Sequence, residues 1–156
     1  MKPMKKIKIG SIVLIPLDKG YRIAQVTHRN QEFGHLIRVM ANYYSAPPSK
    51  VDGRDLEKIE TSVFFPVQTA VNQGLVDIIG HEDVSASSAM FPIFKTRMIG
   101  KNGDVGPWWL WDGDTEWEVG YDLSETEMNY PDCEIVSFPR LVEIITPASA
   151  DSSPHT

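Results

Sequence analysis

The side chains able to do chemistry fall into a few groupings, and most argue against catalysis. His81-Glu82-Asp83 sets three metal-ligating residue types in succession. Neighbouring side chains on extended backbone point to opposite faces and do not converge on one ion, so a surface loop is the expectation. Asp112-Gly113-Asp114-Thr115-Glu116 opens like a calcium loop. However, Trp117 stands where that loop needs its sixth-position glycine, and the closing acid is missing, so a hairpin is preferred. The one cysteine, Cys133, lies beside Asp132 and Glu134. Their charges raise a thiol pKa and oppose thiolate chemistry. A lone cysteine also excludes a disulfide framework and a thiolate zinc site. The four histidines (His28, His35, His81, His155) show no metal spacing. Neither a Gly-rich phosphate loop nor a Gly-x-Ser-x-Gly elbow is present. An enzyme, a metal and a cofactor are therefore not expected.

What remains is a segment rich in acids and aromatics. Asn102 to Pro139 holds ten acids and no Lys or Arg, together with Trp108, Trp109, Trp111, Trp117, Tyr121, Tyr130 and Phe138. An acidic field repels phosphate backbones and attracts basic partners, and aromatic residues anchor protein–protein interfaces. The other reading of the segment is a solvated acidic face over a tryptophan core. A two-residue turn at Asp112-Gly113 would pair Trp111 with Asp114, Trp109 with Glu116 and Trp108 with Trp117. A four-residue loop would keep the same faces but shift the pairs. On either register Trp109, Trp111, Asp114, Glu116 and Glu118 share one face. Trp108, Leu110, Thr115, Trp117 and Val119 share the other, which reads as core. The candidate partner-binding residues are thus Trp109, Trp111, Asp112, Asp114, Glu116 and Glu118, with Asp122 and Glu125 as rim charges.

The elements that must position these residues are read from periodicity and breakers. The chain is 156 residues with 42% apolar and 23% charged residues, long enough for one domain with its own core. A lysine-rich lead-in over 1–9 lacks the apolar region of a signal peptide, and no run approaches a membrane span, so a cytoplasmic protein is expected. Strands are predicted over 11–17, 21–28 and 35–42 as an antiparallel meander with turns at Asp18-Lys19-Gly20 and Glu32-Phe33-Gly34. A short helix is predicted over 52–59, a helical turn over 68–73 stopped by Gly74, and a strand over 75–79 broken by Gly80. Further strands are expected at 91–98 and across the 107–119 hairpin. The Ser124-x-x-Glu127 spacing of a capping box starts a short helix, and 135–138 and 141–145 read as closing strands. The expected fold is a single β-rich α+β domain over 1–146. It is a bent antiparallel sheet or a partly open SH3-like barrel with one to three short helices, followed by a disordered tail over 147–156.

The opening Gly10-Ser11-Ile12-Val13-Leu14-Ile15-Pro16-Leu17, then Gly20-Tyr21-Arg22-Ile23-Ala24-Gln25-Val26, resembles the start of the immunity protein 26 family. Leu75 to Gly80 is similar to that family's strand ending in glycine, although Val76-Asp77-Ile78 stands where the family often has a tryptophan. Phe91-Pro92-Ile93-Phe94-Lys95 and Phe138-Pro139-Arg140-Leu141-Val142 match later landmarks, so the resemblance spans about residues 9–145. It implies a bacterial immunity protein that binds a cognate toxin domain in the cytoplasm, with no nucleic acid and no membrane as partner. From charge, a basic nuclease is the expected toxin. Two other readings stay open. One is an SH3-like peptide- or nucleic-acid-binding module using Lys5, Lys6, Lys8, Arg22, Arg29 and Arg38. The other is a hydrolase using the acid cluster.

Overall fold

Within residues 11–40, Ile12-Val13-Leu14-Ile15, Ile23-Ala24 and Leu36-Ile37 place apolar residues at adjacent positions rather than in strict in–out alternation, which is the pattern of strands covered on both faces. The computed structural model describes residues 5–147 and forms the meander there. Its strands are β1 (Ser11–Leu17), β2 (Gly20–Asn30) and β3 (Gly34–Met40), extended by β4 (Ile59–Phe64) and β5 (Asp77–His81). These make one open antiparallel sheet in the order β4-β3-β2-β1-β5. A second antiparallel sheet has the order β6 (Phe94–Ile99), β7 (Val105–Trp111) and β8 (Glu116–Gly120). The short helices are α1 (Val67–Asn72), α2 (Ala86–Ala89), α3 (Glu125–Met128) and α4 (Phe138–Ile145). The chain divides into two compact units, one from residues 5–89 and 135–147, the other from residues 90–134. Among the described residues no helix is long and apolar enough to cross a membrane. The tail expected from residue 147 lies outside the described residues from 148 onward.

The first unit has apolar cores on both faces of its sheet. Val13, Ile15, Ala24, Val26, Ile37 and Val39 form one face, and Val67 and Ala70 of α1 and Leu141 and Ile145 of α4 pack with them. Ile12, Leu14, Ile23 and Met40 form the opposite face, covered by Leu56 with Tyr44, Val51 and Ile59. The register Val13↔Ala24 and Ile12↔Gln25 fixes which residue meets which cover. A slip of one residue would exchange the two faces.

Three expectations fail here, each for a local reason. Residues 138–145 are helical rather than a strand. Ser137 accepts the Arg140 N–H as N-cap, Pro139 fits the first turn, and Leu141 and Ile145 fall on one face four residues apart. Those caps outweigh the β-branched composition. Ile135 makes only an isolated bridge to Phe64. Residues 52–59 form turns and then β4 rather than a helix. The Asp52 carboxylate takes the Arg54 N–H, and carbonyls 52 to 54 each accept from three residues on, a pattern that does not propagate. Gly80 lies inside β5 rather than ending it. The extra residue of a bulge between Ile12 and Val13 is absorbed there, with Ile12 opposite Gly80 and Val13 opposite Ile78.

Because β2 and β3 are covered on both faces, their polar residues must find partners inside. Arg22 is 8% exposed and donates from Nη1 to the Ile145 carbonyl (2.8 Å) and from Nη2 to that of Ala41 (3.2 Å). A guanidinium at the last carbonyls of α4 matches the negative end of that helix. Arg38 is held likewise, by Ser62 Oγ (3.0 Å) and the Ser88 carbonyl (3.2 Å). Two of the six basic residues of the SH3-like reading are therefore structural. His28 contacts the Ala89 carbonyl through Nε2 and the Thr27 hydroxyl through Nδ1, both at 2.9 Å. Burial of its ring holds the His28 pKa below the ordinary 6.5, opposed by the bond to Ala89 and helped by the charge of Arg38.

Two outcomes are expected. Arg22→Ala leaves buried carbonyls unsatisfied and should cost about 2–3 kcal/mol in urea unfolding, whereas exposed Arg29→Ala should stay within about 0.5 kcal/mol. His28 is harder to protonate folded than unfolded. Its contribution is therefore intact above the unfolded pKa near 6.5 and is lost as pH falls from there towards the folded pKa. The melting temperature should drop between pH 7 and 5.5, and by less in His28→Gln.

Candidate functional site

The second unit differs in composition from the first. Residues 90–134 carry ten Asp/Glu against three Lys/Arg, a net of −7, leaving +1 for the rest of the chain. Only two of its apolar side chains, Phe94 and Leu110, are buried. It also holds seven of the ten exposed large apolar residues: Met90, Met98, Ile99, Val105, Trp117, Tyr121 and Met128. Exposed apolar side chains within an acidic segment make this unit the candidate interaction surface.

The hairpin forms with a four-residue loop over 112–115, not the two-residue turn. The pairs are Trp111↔Glu116, Leu110↔Trp117 and Trp109↔Glu118, shifted by two residues from the type I′ register. The reason lies in Asp112. Its Oδ1 accepts the backbone N–H groups of Asp114 (3.0 Å) and Thr115 (2.8 Å), closing a wider loop on itself. Those amides, Thr115 first, hold the Asp112 carboxyl below its usual range. Asp112 thus shapes the loop, and Asp114 stands exposed in it.

Since paired residues point to the same side, Trp109, Trp111, Glu116 and Glu118 share one face, with Phe94 and Thr96 of β6 opposite Trp111 and Trp109. Neither tryptophan is fully buried. They are not equivalent, however. Trp111 packs edge-on against Phe91 (ring centres 5.1 Å apart) and tilted against Phe94 (6.0 Å), so it anchors an aromatic cluster. Trp109 stands between exposed Thr96 and exposed Glu118. The carboxylates of Glu116 and Glu118 make no hydrogen bond or ion pair among the described residues. Asp122 and Glu125 are exposed beyond β8, and no strand pairing joins them to this face. Glu125 opens α3, which the capping box of Ser124 and Glu127 starts as its spacing requires.

The opposite face is less of a core than its residues imply. Only Leu110 is buried. Trp117, on edge strand β8, is 37% exposed, and Trp108 lies under the Arg97 guanidinium at 4.3 Å. Arg97 also donates from Nε and Nη2 to the Gly106 carbonyl. Lys95 pairs with Asp132 (3.2 Å) and donates to the Tyr130 carbonyl, while the Lys95 N–H and carbonyl bond Pro131 and Cys133. Two of the three bases of the unit are so engaged, one consuming an acid outside the hairpin. Sequence reasoning missed the role of Phe91, which reads there as part of a strand, whereas the turn expected at Asp112-Gly113 already calls for the positive φ that Gly113 adopts (+94°).

Among the described residues no group of three or more His, Cys, Asp or Glu could hold a metal ion. The Cys133 thiol is pushed up by burial, rather than by the flanking acids. No protein-family model, no curated protein and no solved structure matches the chain.

Gly113→Ala tests the loop. At φ +94° a side chain is strained, and the new Cβ would lie 2.6 Å from the Phe91 ring. A loss of about 1–3 kcal/mol is expected in thermal or urea unfolding.

Proposed function

We propose that the protein is a bacterial immunity protein. In this reading it neutralises a cognate toxin domain in the cytoplasm by stoichiometric binding, with no catalytic step. The observation that carries this is the β6-β7-β8 face, which sets Trp109 and Trp111 beside the uncompensated Glu116 and Glu118. Partly exposed tryptophans offer a rigid contact area, and unpaired carboxylates steer a basic partner at long range. The net −7 of residues 90–134 favours a basic toxin, which a nuclease cleft would supply. The segments similar to the immunity protein 26 family lend the reading its biological setting.

The test is a binding titration against the toxic C-terminal domain encoded beside this gene, at about 50 and 200 mM salt, which brackets strong and weak screening. Tight 1:1 binding with an on-rate that falls with salt is expected. No binding to an active, folded toxin domain would overturn the reading. Within a complex, Trp109→Ala should weaken binding by at least about 2 kcal/mol, roughly 30-fold in Kd, with an unchanged melting temperature. Trp111→Ala should lower the melting temperature as well, because it removes a member of the Phe91–Phe94 cluster. Glu118→Lys should slow association rather than speed dissociation.

A further inference from the structure

The first unit carries a separate feature that the toxin-binding reading does not use. Gln68 of α1 accepts the Ile7 N–H at Oε1 (2.7 Å) and donates from Nε2 to the Lys5 carbonyl (2.9 Å) and to Asn72 Oδ1 (3.0 Å). One side chain thereby lays residues 5–7 along α1 and fixes where Lys6 stands. Facing this segment, Arg29 at the end of β2 is paired in register with His35 at the start of β3. Between them runs a groove of about 470 Å³ lined by Lys5, Lys6, Ile7, Arg29, His35, Gln68 and Asn72.

Among the described residues no carboxylate lines this groove, although the chain as a whole is acidic. The Lys5 ammonium reaches the Ile78 carbonyl (3.1 Å) and still contributes its charge. The Arg29 guanidinium and the Lys6 ammonium make no hydrogen bond or ion pair among the described residues. Three cations that line one groove repel one another, and a bound anion relieves that repulsion. The groups left to bond a ligand are donors: a guanidinium fork, an ammonium, an imidazole N–H and the Asn72 amide. A fork of parallel N–H groups matches two phosphate oxygens. Apart from His35 no aromatic ring lines the groove, so it lacks the stacking platform of a single-strand nucleic-acid site.

We propose that this groove binds a phosphate dianion, free or as a monoester, gripped by Arg29, Lys6 and His35 with Lys5 adding charge. Inorganic phosphate and a nucleotide share that chemistry. Burial, and then the charge of Arg29, hold the pKa of His35 below its ordinary value in the free protein. The other charged groups lining the groove with it are Lys5, Lys6 and Arg29. A bound dianion would offset their charge and draw the His35 pKa upward.

The experiment is an NMR titration of the full chain with inorganic phosphate and, separately, with AMP, each against sodium chloride at matched ionic strength. Saturable shifts of the Arg29 and His35 signals with phosphate, a rise in the His35 pKa, and affinity at least tenfold weaker in Arg29→Gln are expected. Tenfold tighter binding of AMP would identify a nucleotide as the occupant, and equal binding would identify the phosphate alone. Shifts that follow ionic strength without saturating, or that persist in a folded Arg29→Gln, would overturn the proposal. So would binding of single-stranded DNA without binding of phosphate.

Discussion

Two-sided burial of β1, β2 and β3 is the constraint on which the first unit depends. A sheet covered on both faces needs two apolar sets in each strand, and the adjacent apolar residues Ile12 to Ile15, Ile23-Ala24, Leu36-Ile37 and Val39-Met40 supply them. It also leaves no solvent to satisfy polar side chains. Arg22, Gln25 and Arg38 each take carbonyl oxygens from the layer above them: Ile145 beyond one face, Glu82 and Ser88 beyond the other. The covers are thus held by hydrogen bonds as well as by apolar packing, and buried donors of this kind tolerate few alternative arrangements.

The residues 90–134 obey the opposite rule. With only Phe94 and Leu110 buried among their apolar side chains, the sheet is organised by local devices: the Asp112 loop, the Phe91–Phe94–Trp111 cluster, the Arg97–Trp108 contact and the Lys95–Asp132 pair. Such devices fix backbone register without consuming the outward faces. This is why Trp109, Glu116 and Glu118 stay available, and why the partner-binding reading is placed on this layer. The edges differ as well. Residues 131–133 close the edge at Lys95, while β8 is left open and carries acids at alternate positions. Charges on an open edge discourage pairing between copies.

Much of this was legible in the sequence where one physical signal dominated. The meander, the Gly74 stop and the Ser124 capping box each rest on residues that allow a single local solution. The shared face of Trp109, Trp111, Glu116 and Glu118 was legible too, because the period of two survives a shift of register by two residues. What escaped depends on competition between signals. In 138–145 the Ser137 cap and Pro139 compete with β-branched composition, and in 107–119 the Asp112 side chain competes with the Asp-Gly turn. The exposure of Trp117 was hidden for another reason: it reflects what lies over the sheet, which no local pattern encodes. Of the basic groove, Lys5, Lys6 and Arg29 were already grouped in the sequence, whereas His35, Gln68 and Asn72 escaped because they come from separate stretches of chain.

The bond between Arg22 and the Ile145 carbonyl also bears on how the chain reaches its fold. It joins residues 123 apart, and the apolar face that α4 completes begins at Val13. Between the two lie all 45 residues of the other unit. Closing so long a loop is entropically costly and is repaid only once α4 docks, so the part of the meander face that Leu141 and Ile145 cover stays open until residues 138–145 arrive. During synthesis that exposed apolar surface is prone to association, and the docking of α4 ends the exposure.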